Sequence, residues 1–375
     1  MSSLDATHSA LRLTRIAQAR RALLLERGAL PDDSIAPWIE RSWQRCLSLG
    51  LAPQEPVAFD LISRQRVRQT EDANQRLVRS ARPILEQLGR AIANTRYFAI
   101  LTNAEGVVVD VDGAIDRSDR RADNITRIGT DLSESSVGTT AIGAALCEQQ
   151  VVWLHRGEHF FSATSHYSCA GAPLFGPDGA CIGMLDLTGI DAPERSELRH
   201  MVSQSAQKIE NALLLAQRHR LLLRLNWPGA TLGSEADGLL CVDADGWITG
   251  ANQTARQMVP NLPRPGTSGV HLSEVFGVAY EMLFDGLHRP GSALDIPLWS
   301  GLRLQVLPLA GSREAMPAQT AMLPRSPAGP GLALKDVEMT LIHRAVAQAR
   351  GNVAEAARAL GISRATVYRK LARPK

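Results

Sequence analysis

The sequence predicts an α+β protein, in which antiparallel sheets with helices are followed by an all-α C-terminal unit. Three observations predict this class. An apolar strand, a turn with glycine and a second apolar strand recur at residues 98–111, 172–189 and 239–252. Residues 309–333 are rich in Pro, Gly, Ala and Ser and indicate a flexible linker. Beyond the linker, two short helical patterns are joined at Gly361.

Length and composition indicate a multidomain protein of ordinary polarity. The 375 residues have room for two or three domains, and the formal net charge is only +3. No apolar run reaches the roughly 18 residues of a membrane span, and the N-terminus lacks a signal-peptide core. The five cysteines are scattered and form no CxxC pair, which favours reduced thiols in a cytoplasm.

Composition shifts along the chain predict five regions. They are a helical N-terminal leader (1–70), a sensor domain with an exit signalling helix (71–225), a second α+β unit (226–308), the linker (309–333) and the helical tail (334–375).

The exit helix is predicted over residues 192–225, where Val202, Ile209, Ala216 and Leu223 recur at every seventh position. This weak heptad pattern favours pairing with a second copy of the chain. The alternative is a helix that packs on the sheet of its own sensor domain.

The stretch between the first two hairpins carries the side chains that we expect to line a sensor pocket. These candidates are Trp153, His159, Phe161, His166 and Cys169. The spacing of His155 and His159 suits two metal ligands on a helix, but Gly157 and the preceding strand pattern argue against a helix there. We therefore predict no metal and no cofactor, and expect a small organic effector with a carbonyl, alcohol or aromatic group.

The tail has the chemistry of a DNA-binding unit. Asn352 can cap a first helix, Gly361 can end it, and Ser363 can cap a second helix. From Met339 to Lys375, eight Arg or Lys residues face one acid, Glu355. A basic face on a compact helical unit attracts phosphate.

The tail sequence "GNVAEAARALGISRATVYRKL" closely resembles the Fis-type helix-turn-helix. The resemblance implies that residues 364–371 form the recognition helix and that residues 335–349 help to form a dimer. The side chains implied to contact double-stranded DNA are Asn352, Ser363, Arg364, Ala365, Thr366, Tyr368, Arg369 and Lys370. We expect a homodimer on an inverted repeat.

A second resemblance covers most of the rest of the chain. "RIGTDLSESSVGTTAIGAAL" and "GEHFFSATSHYSCAGAPLFGPDGACIGMLDLTG" resemble the GAF region of bacterial transcriptional activators of the acetoin-catabolism-regulator type. The upstream "IERSWQRCLSLGLAP" resembles their leader, and residues 232–308 resemble a PAS unit more faintly. The resemblance implies a cytoplasmic bacterial transcription regulator.

Such activators carry a central ATPase domain that contacts sigma-54 polymerase, and this sequence departs from them there. None of its four lysines follows a glycine, so it contains no P-loop. We expect no ATP hydrolysis and no direct sigma-54 activation. The implied partners are ordinary RNA polymerase or a full-length sigma-54 activator.

Two questions stay open at this point. One alternative is a thiol enzyme that uses Cys147, Cys169 or Cys181, or a redox or metal sensor, with the tail as an accessory. Within the regulator interpretation, the residues do not distinguish an activator from a repressor, nor do they name the effector or the operon.

Overall fold

The computed structural model describes residues 3–26, 28, 34–259, 261–289, 291–311 and 353, with side chains from residue 10 onward. Apart from residue 353, these belong to the first of the two units of the chain, Met1–Ala315. The predicted helix-turn-helix with its DNA-contact residues lies outside the described residues, as does the predicted linker beyond residue 311.

The helices of the described residues alternate with two groups of strands. The helices are α1 (Ser3–Ala19), α2 (Pro37–Ser48), α3 (Arg64–Ile92), α4 (Arg120–Thr126), α5 (Glu134–Val137), α6 (Ala141–Glu148), α7 (Leu198–Leu215), α8 (Gln253–Met258), α9 (Leu272–Val275) and α10 (Glu281–Asp285). A π-helical turn covers Arg20–Leu25, and 3-10 turns cover Arg156–Glu158, Ser162–Thr164 and Gly286–His288. The strands are β1 (Tyr97–Asn103), β2 (Val108–Gly113), β3 (Val152–His155), β4 (Tyr167–Phe175), β5 (Cys181–Ile190), β6 (Leu221–Asn226), β7 (Gly238–Val242), β8 (Ile248–Ala251), β9 (Leu294–Pro297) and β10 (Arg303–Ala310).

The strands form two five-stranded sheets. Their orders are β2-β1-β5-β4-β3 and β8-β7-β6-β10-β9. Every neighbouring pair is antiparallel. The α+β class is thereby confirmed.

The three predicted hairpins are confirmed as β1–β2, β4–β5 and β7–β8. Their turn glycines, Gly106, Gly179 and Gly246, have φ angles of +85°, +88° and +88°. Only glycine adopts this left-handed conformation without steric cost, which is why the turns could be placed from the sequence.

The first sheet is buried on both faces. On one face, Leu85 and Ile92 of α3 and Val202 and Ile209 of α7 pack against the strands. On the other face, the packing comes from α4, α6 and their connections, with Ile125 among the buried side chains. Because side chains alternate along a strand, each strand contributes to both cores.

The leader packs on the sensor domain through a separate apolar cluster. Ala19, Leu24 and Trp43 are buried there together with Phe160 and Phe161 of the sensor. The predicted boundary at residue 70 falls inside α3, which begins after its cap Ser63 and continues to Ile92.

The prediction of one helix over residues 192–225 is wrong. The helix α7 ends at Leu215, and residues 221–226 form β6, the central strand of the second sheet. Val202 and Ile209 are buried against the first sheet, and Leu223 is buried in β6. Only Val202 and Ile209 of the repeat lie on α7, where they face the first sheet. A 3.5-residue repeat hardly differs from the 3.6-residue period of any amphipathic helix, so the pattern did not distinguish pairing from packing on a sheet.

The second sheet has its own core, with α8, α9 and α10 on it and Leu223, Leu240, Phe276 and Val306 fully or almost fully buried. β10 includes the first two residues of the predicted linker, Leu309 and Ala310. Among the described residues, no helix has both the length and the hydropathy needed to cross a bilayer.

Candidate functional site

A small cavity lies on the face of the first sheet that α4 and α6 cover. Its volume is about 30 Å³. The lining residues come from strands, helix starts and loops: Phe59, Ile100, Ile125, Leu132, Thr140, Ala141, Ile142, His159, Thr164, Tyr167, Cys169, Asp186 and Thr188. The wall is therefore largely apolar, with a few convergent polar groups, and the cavity is about the size of one water molecule.

Four polar side chains form a hydrogen-bonded row along this wall. His159 Nδ1 lies 2.9 Å from the carbonyl oxygen of Arg156, so the ring donates there and its Nε2 is left as an acceptor. Cys169 Sγ lies 3.5 Å from that Nε2 and 3.3 Å from Thr188 Oγ1. The Thr188 hydroxyl in turn donates to Asp186 Oδ2.

The row ends in an acceptor without a partner. Asp186 is fully buried, and its Oδ1 has no hydrogen-bond partner among the described residues. A buried acceptor that stays unpaired costs about 1–3 kcal/mol, and native proteins rarely leave one so. Asp186 also lines the cavity, so its carboxyl group is available to a molecule bound there.

Burial favours the neutral form of His159, Cys169 and Asp186, and Asp186 is about half ionised at pH 7. Burial raises the pKa of Asp186 to about 7 and lowers the pKa of His159 to about 4. Burial also raises the pKa of the Cys169 thiol well above its ordinary value. No Lys or Arg is among the residues that line the cavity. A site of this kind accepts neutral molecules with a hydrogen-bond donor and disfavours anions.

Of the five predicted pocket residues, the structure brings His159 and Cys169 into the cavity and places the other three elsewhere. Trp153 packs into the core on the opposite face of the sheet, because it alternates with Val152 and Leu154 along β3. Phe161 packs in the leader cluster. His166 is half-buried in the loop before β4, and its carbonyl oxygen accepts a bond from the Asp191 amide.

Sequence reasoning missed Asp186 and Thr188. Both lie on β5 within the apolar run "MLDLTG", and Thr188 pairs with Cys169 of β4 in the strand register. Two polar residues at alternate positions of an otherwise apolar strand share one face of the sheet. This alternation could have identified Asp186 and Thr188 as cavity residues from the sequence.

Burial disfavours the thiolate form of the three candidate cysteines. Desolvation raises the pKa of Cys147, Cys169 and Cys181, whereas a nucleophilic cysteine needs a lowered pKa. The histidine in contact with Cys169 is His159, which is neutral. In the part of the chain that the structure describes, no three His, Cys, Asp or Glu side chains converge as metal ligands.

Two regions of the chain match models of known protein families. Residues 14–211 match the family described as MimR, N-terminal domain. Residues 333–373 match the family described as Bacterial regulatory protein, Fis family.

Three curated relatives are similar over large parts of the chain. The acetoin catabolism regulatory protein of Cupriavidus necator is 32% identical over 305 residues, which cover 75% of this chain and 44% of that protein. The acetoin dehydrogenase operon transcriptional activator AcoR of Bacillus subtilis is 26% identical over 249 residues, 66% of this chain and 40% of that protein. The propane 2-monooxygenase operon transcriptional activator MimR of Mycolicibacterium goodii is 30% identical over 174 residues, 46% of this chain and 29% of that protein.

The chain thus spans less than half the length of each of these relatives. The first family match covers more than half of the 375 residues. The chain therefore belongs to the family of the MimR N-terminal domain, is a homologue of the acetoin-catabolism and MimR-type transcriptional activators, and carries a Fis-family helix-turn-helix.

Proposed function

We propose that the protein is a sequence-specific DNA-binding transcription regulator that responds to a small neutral molecule and controls a catabolic or stress operon in the bacterial cytoplasm. The observation that supports the sensing part is the unpaired carboxyl oxygen of Asp186, a residue that lines the small cavity. The Fis-family match in the same chain supports the DNA-binding part. The first sheet serves as the GAF-type sensor in this proposal, and the second as a PAS-type unit.

The proposed DNA interface is the predicted recognition helix of the tail. The first turn of such a helix meets base edges, and later basic residues hold phosphates. We propose that two copies bind an inverted repeat, since a single helix-turn-helix discriminates poorly against a genome. Because the apolar face of α7 packs on its own sheet, we propose residues 335–349 as the pairing element.

Replacing Arg364 with alanine is expected to weaken binding to the specific site by about 1–3 kcal/mol and to relax sequence preference, because a bidentate base contact is lost. Replacing Lys370 with alanine should weaken binding to all sequences and reduce the salt slope by about one unit. Gel shifts of the full chain at several salt concentrations measure both effects, on sites recovered by genome-wide mapping.

The control for these two variants is Arg15→Ala, an exposed arginine of the leader. It should bind DNA like the wild type. Unchanged affinity and salt dependence in both tail variants would exclude this recognition helix.

The proposed effector is a neutral molecule of a few heavy atoms that donates a hydrogen bond to Asp186. Propane-1,2-diol and lactate test this class, because they share a carbon skeleton and differ in a hydroxymethyl group against a carboxylate. We expect the diol to raise the melting temperature of the protein in a concentration-dependent manner, and lactate to have no effect at neutral pH. The Asp186→Asn variant should lose the response to the diol. A response to lactate alone would refute a neutral site.

Because the sequence has no P-loop, we propose that these 375 residues do not hydrolyse ATP. Regulation would then proceed through ordinary RNA polymerase or through a full-length sigma-54 activator that shares the DNA sites.

A further inference from the structure

Residues 156–162, here called the His159 segment, contact both the cavity and the N-terminal part of the leader, residues 10–48, whereas Phe59 of the leader lines the cavity directly. The ring of His159 contacts Cys169 in the cavity, whereas its carbonyl oxygen accepts a hydrogen bond from Arg20 of the leader. The next two residues, Phe160 and Phe161, pack in the leader cluster. One residue therefore contacts both the sensing site and the leader.

Arg20 holds the segment through three backbone carbonyl groups. Its guanidinium donates to Gly157 O and Phe160 O at 2.9 Å each, and also to His159 O. These acceptors are neutral, and burial lowers the pKa of Arg20. None of these three acceptors is a carboxylate, so Arg20 holds the segment through hydrogen bonds to neutral carbonyl groups. Because the three carbonyl groups converge on one guanidinium, a small displacement of the segment weakens all three bonds together.

A second contact holds the start of the same segment. Arg12 donates to both carboxylate oxygens of Glu158, at 2.8 and 2.7 Å. The indole Nε1 of Trp43 donates to the Glu158 carbonyl oxygen at 2.9 Å. Glu158 and Trp43 are almost or fully buried, so the leader covers this side of the segment.

The His159 segment is a wall of the cavity that lies outside the paired strands. β4 and β5, which carry Cys169 and Asp186, are each paired with strands on both sides. The segment belongs to neither sheet, and much of its hydrogen bonding goes to the leader. A molecule larger than the 30 Å³ cavity must displace a wall, and strands that are paired on both sides resist displacement more than a segment outside the sheet.

We infer that the leader is the element that reports occupancy of the cavity: a molecule seated against His159 displaces the His159 segment and loosens the grip of Arg20. The inference rests on the proposed sensing function and adds the structural connection through which occupancy of the cavity affects the leader. The leader is then held in the empty state and released in the filled state. Ligand binding shifts this equilibrium by the difference in affinity for the two states.

The test measures deuterium uptake by the amides of residues 10–25 in full-length variants. Ala141→Leu enlarges a cavity-lining side chain at the start of α6, whereas the ion pairs of α6 with the leader involve Glu148 at the other end of the helix. Its matched control is Ala144→Leu, the same change on the same helix at a buried position that does not line the cavity. We expect exchange about tenfold faster in Ala141→Leu, equivalent to roughly one net hydrogen bond, and wild-type exchange in Ala144→Leu.

Arg20→Gln should produce the same acceleration without a change to a cavity-lining side chain, whereas Arg15→Gln, at an exposed position of the preceding helix α1, should not. Wild-type exchange in Ala141→Leu overturns the inference. Equal acceleration in Ala141→Leu and Ala144→Leu overturns it as well, because it indicates general loosening. Unchanged exchange in Arg20→Gln removes Arg20 from the route. Protection of β5 amides verifies folding, and Ala141→Val replaces Ala141→Leu if β5 loses protection.

Wild-type protein with saturating propane-1,2-diol separates this inference from the proposed function. If the diol does not bind but Ala141→Leu accelerates exchange, the effector class fails and the leader route stands. If the diol binds and residues 10–25 exchange as before, the leader route fails and the sensing site stands.

Discussion

Replacing Ile209 with glutamate is expected to unfold the sensor domain rather than to separate two copies of the chain. Ile209 is fully buried between α7 and the first sheet. Removing its packing costs about 2–5 kcal/mol, and a buried carboxylate without a partner adds several kcal/mol. The sum approaches the 5–15 kcal/mol that stabilises a typical domain. Urea denaturation followed by circular dichroism measures the loss.

The matched control is Leu215→Glu, on the same helix at a position that is 39% exposed. It should change the free energy of unfolding by no more than about 0.5 kcal/mol, as surface substitutions do. If Ile209→Glu instead stays folded and turns a dimer into a monomer, as judged by light scattering, α7 pairs two chains after all.

Replacing Asp186 with asparagine is expected to stabilise the protein at alkaline pH. In the folded state the pKa of Asp186 is about 7 because of burial. In the unfolded chain it is about 4. The folded state therefore binds the extra proton between these values, and its stability falls as the pH rises through 7. Asparagine does not ionise, so its advantage over aspartate should grow from near zero at about pH 4 to at most about 4 kcal/mol above pH 7.

The measurement is urea denaturation of both proteins at pH 5, 7 and 8.5, compared as a difference so that other titrating groups cancel. Asp191→Asn is the control with the opposite sign. The hydrogen bond from Arg121 lowers the pKa of Asp191, so its carboxylate stabilises the fold at neutral pH and loses that effect in acid. A gain from Asp186→Asn that is the same at pH 5 and pH 8.5 would show that this carboxyl group does not titrate in the folded protein.

Much of the fold followed from local patterns, whereas the cavity followed only in part. The hairpins could be predicted because a tight turn needs a glycine with positive φ, and a few consecutive residues are enough to identify such a turn. The cavity residues are remote in sequence, and the candidates were chosen by residue type. Trp153 is an aromatic residue that could line a pocket, but strand alternation places it on the opposite face of the sheet. Asp186 was overlooked because it lies inside an apolar run.

By itself, the sequence determined the antiparallel hairpins, the α+β class and the Fis-type match of the tail, because each depends on contiguous residues and local backbone geometry. Only the tertiary structure decided which face of α7 is covered, since the same repeat suits a helix on a sheet and a helix beside its copy. It also decided that His159, Cys169 and Asp186 share a cavity, and that Arg20 grips the His159 segment from the leader. These contacts join residues up to 140 positions apart, and burial of apolar surface, which has no sequence-local signature, brings them together.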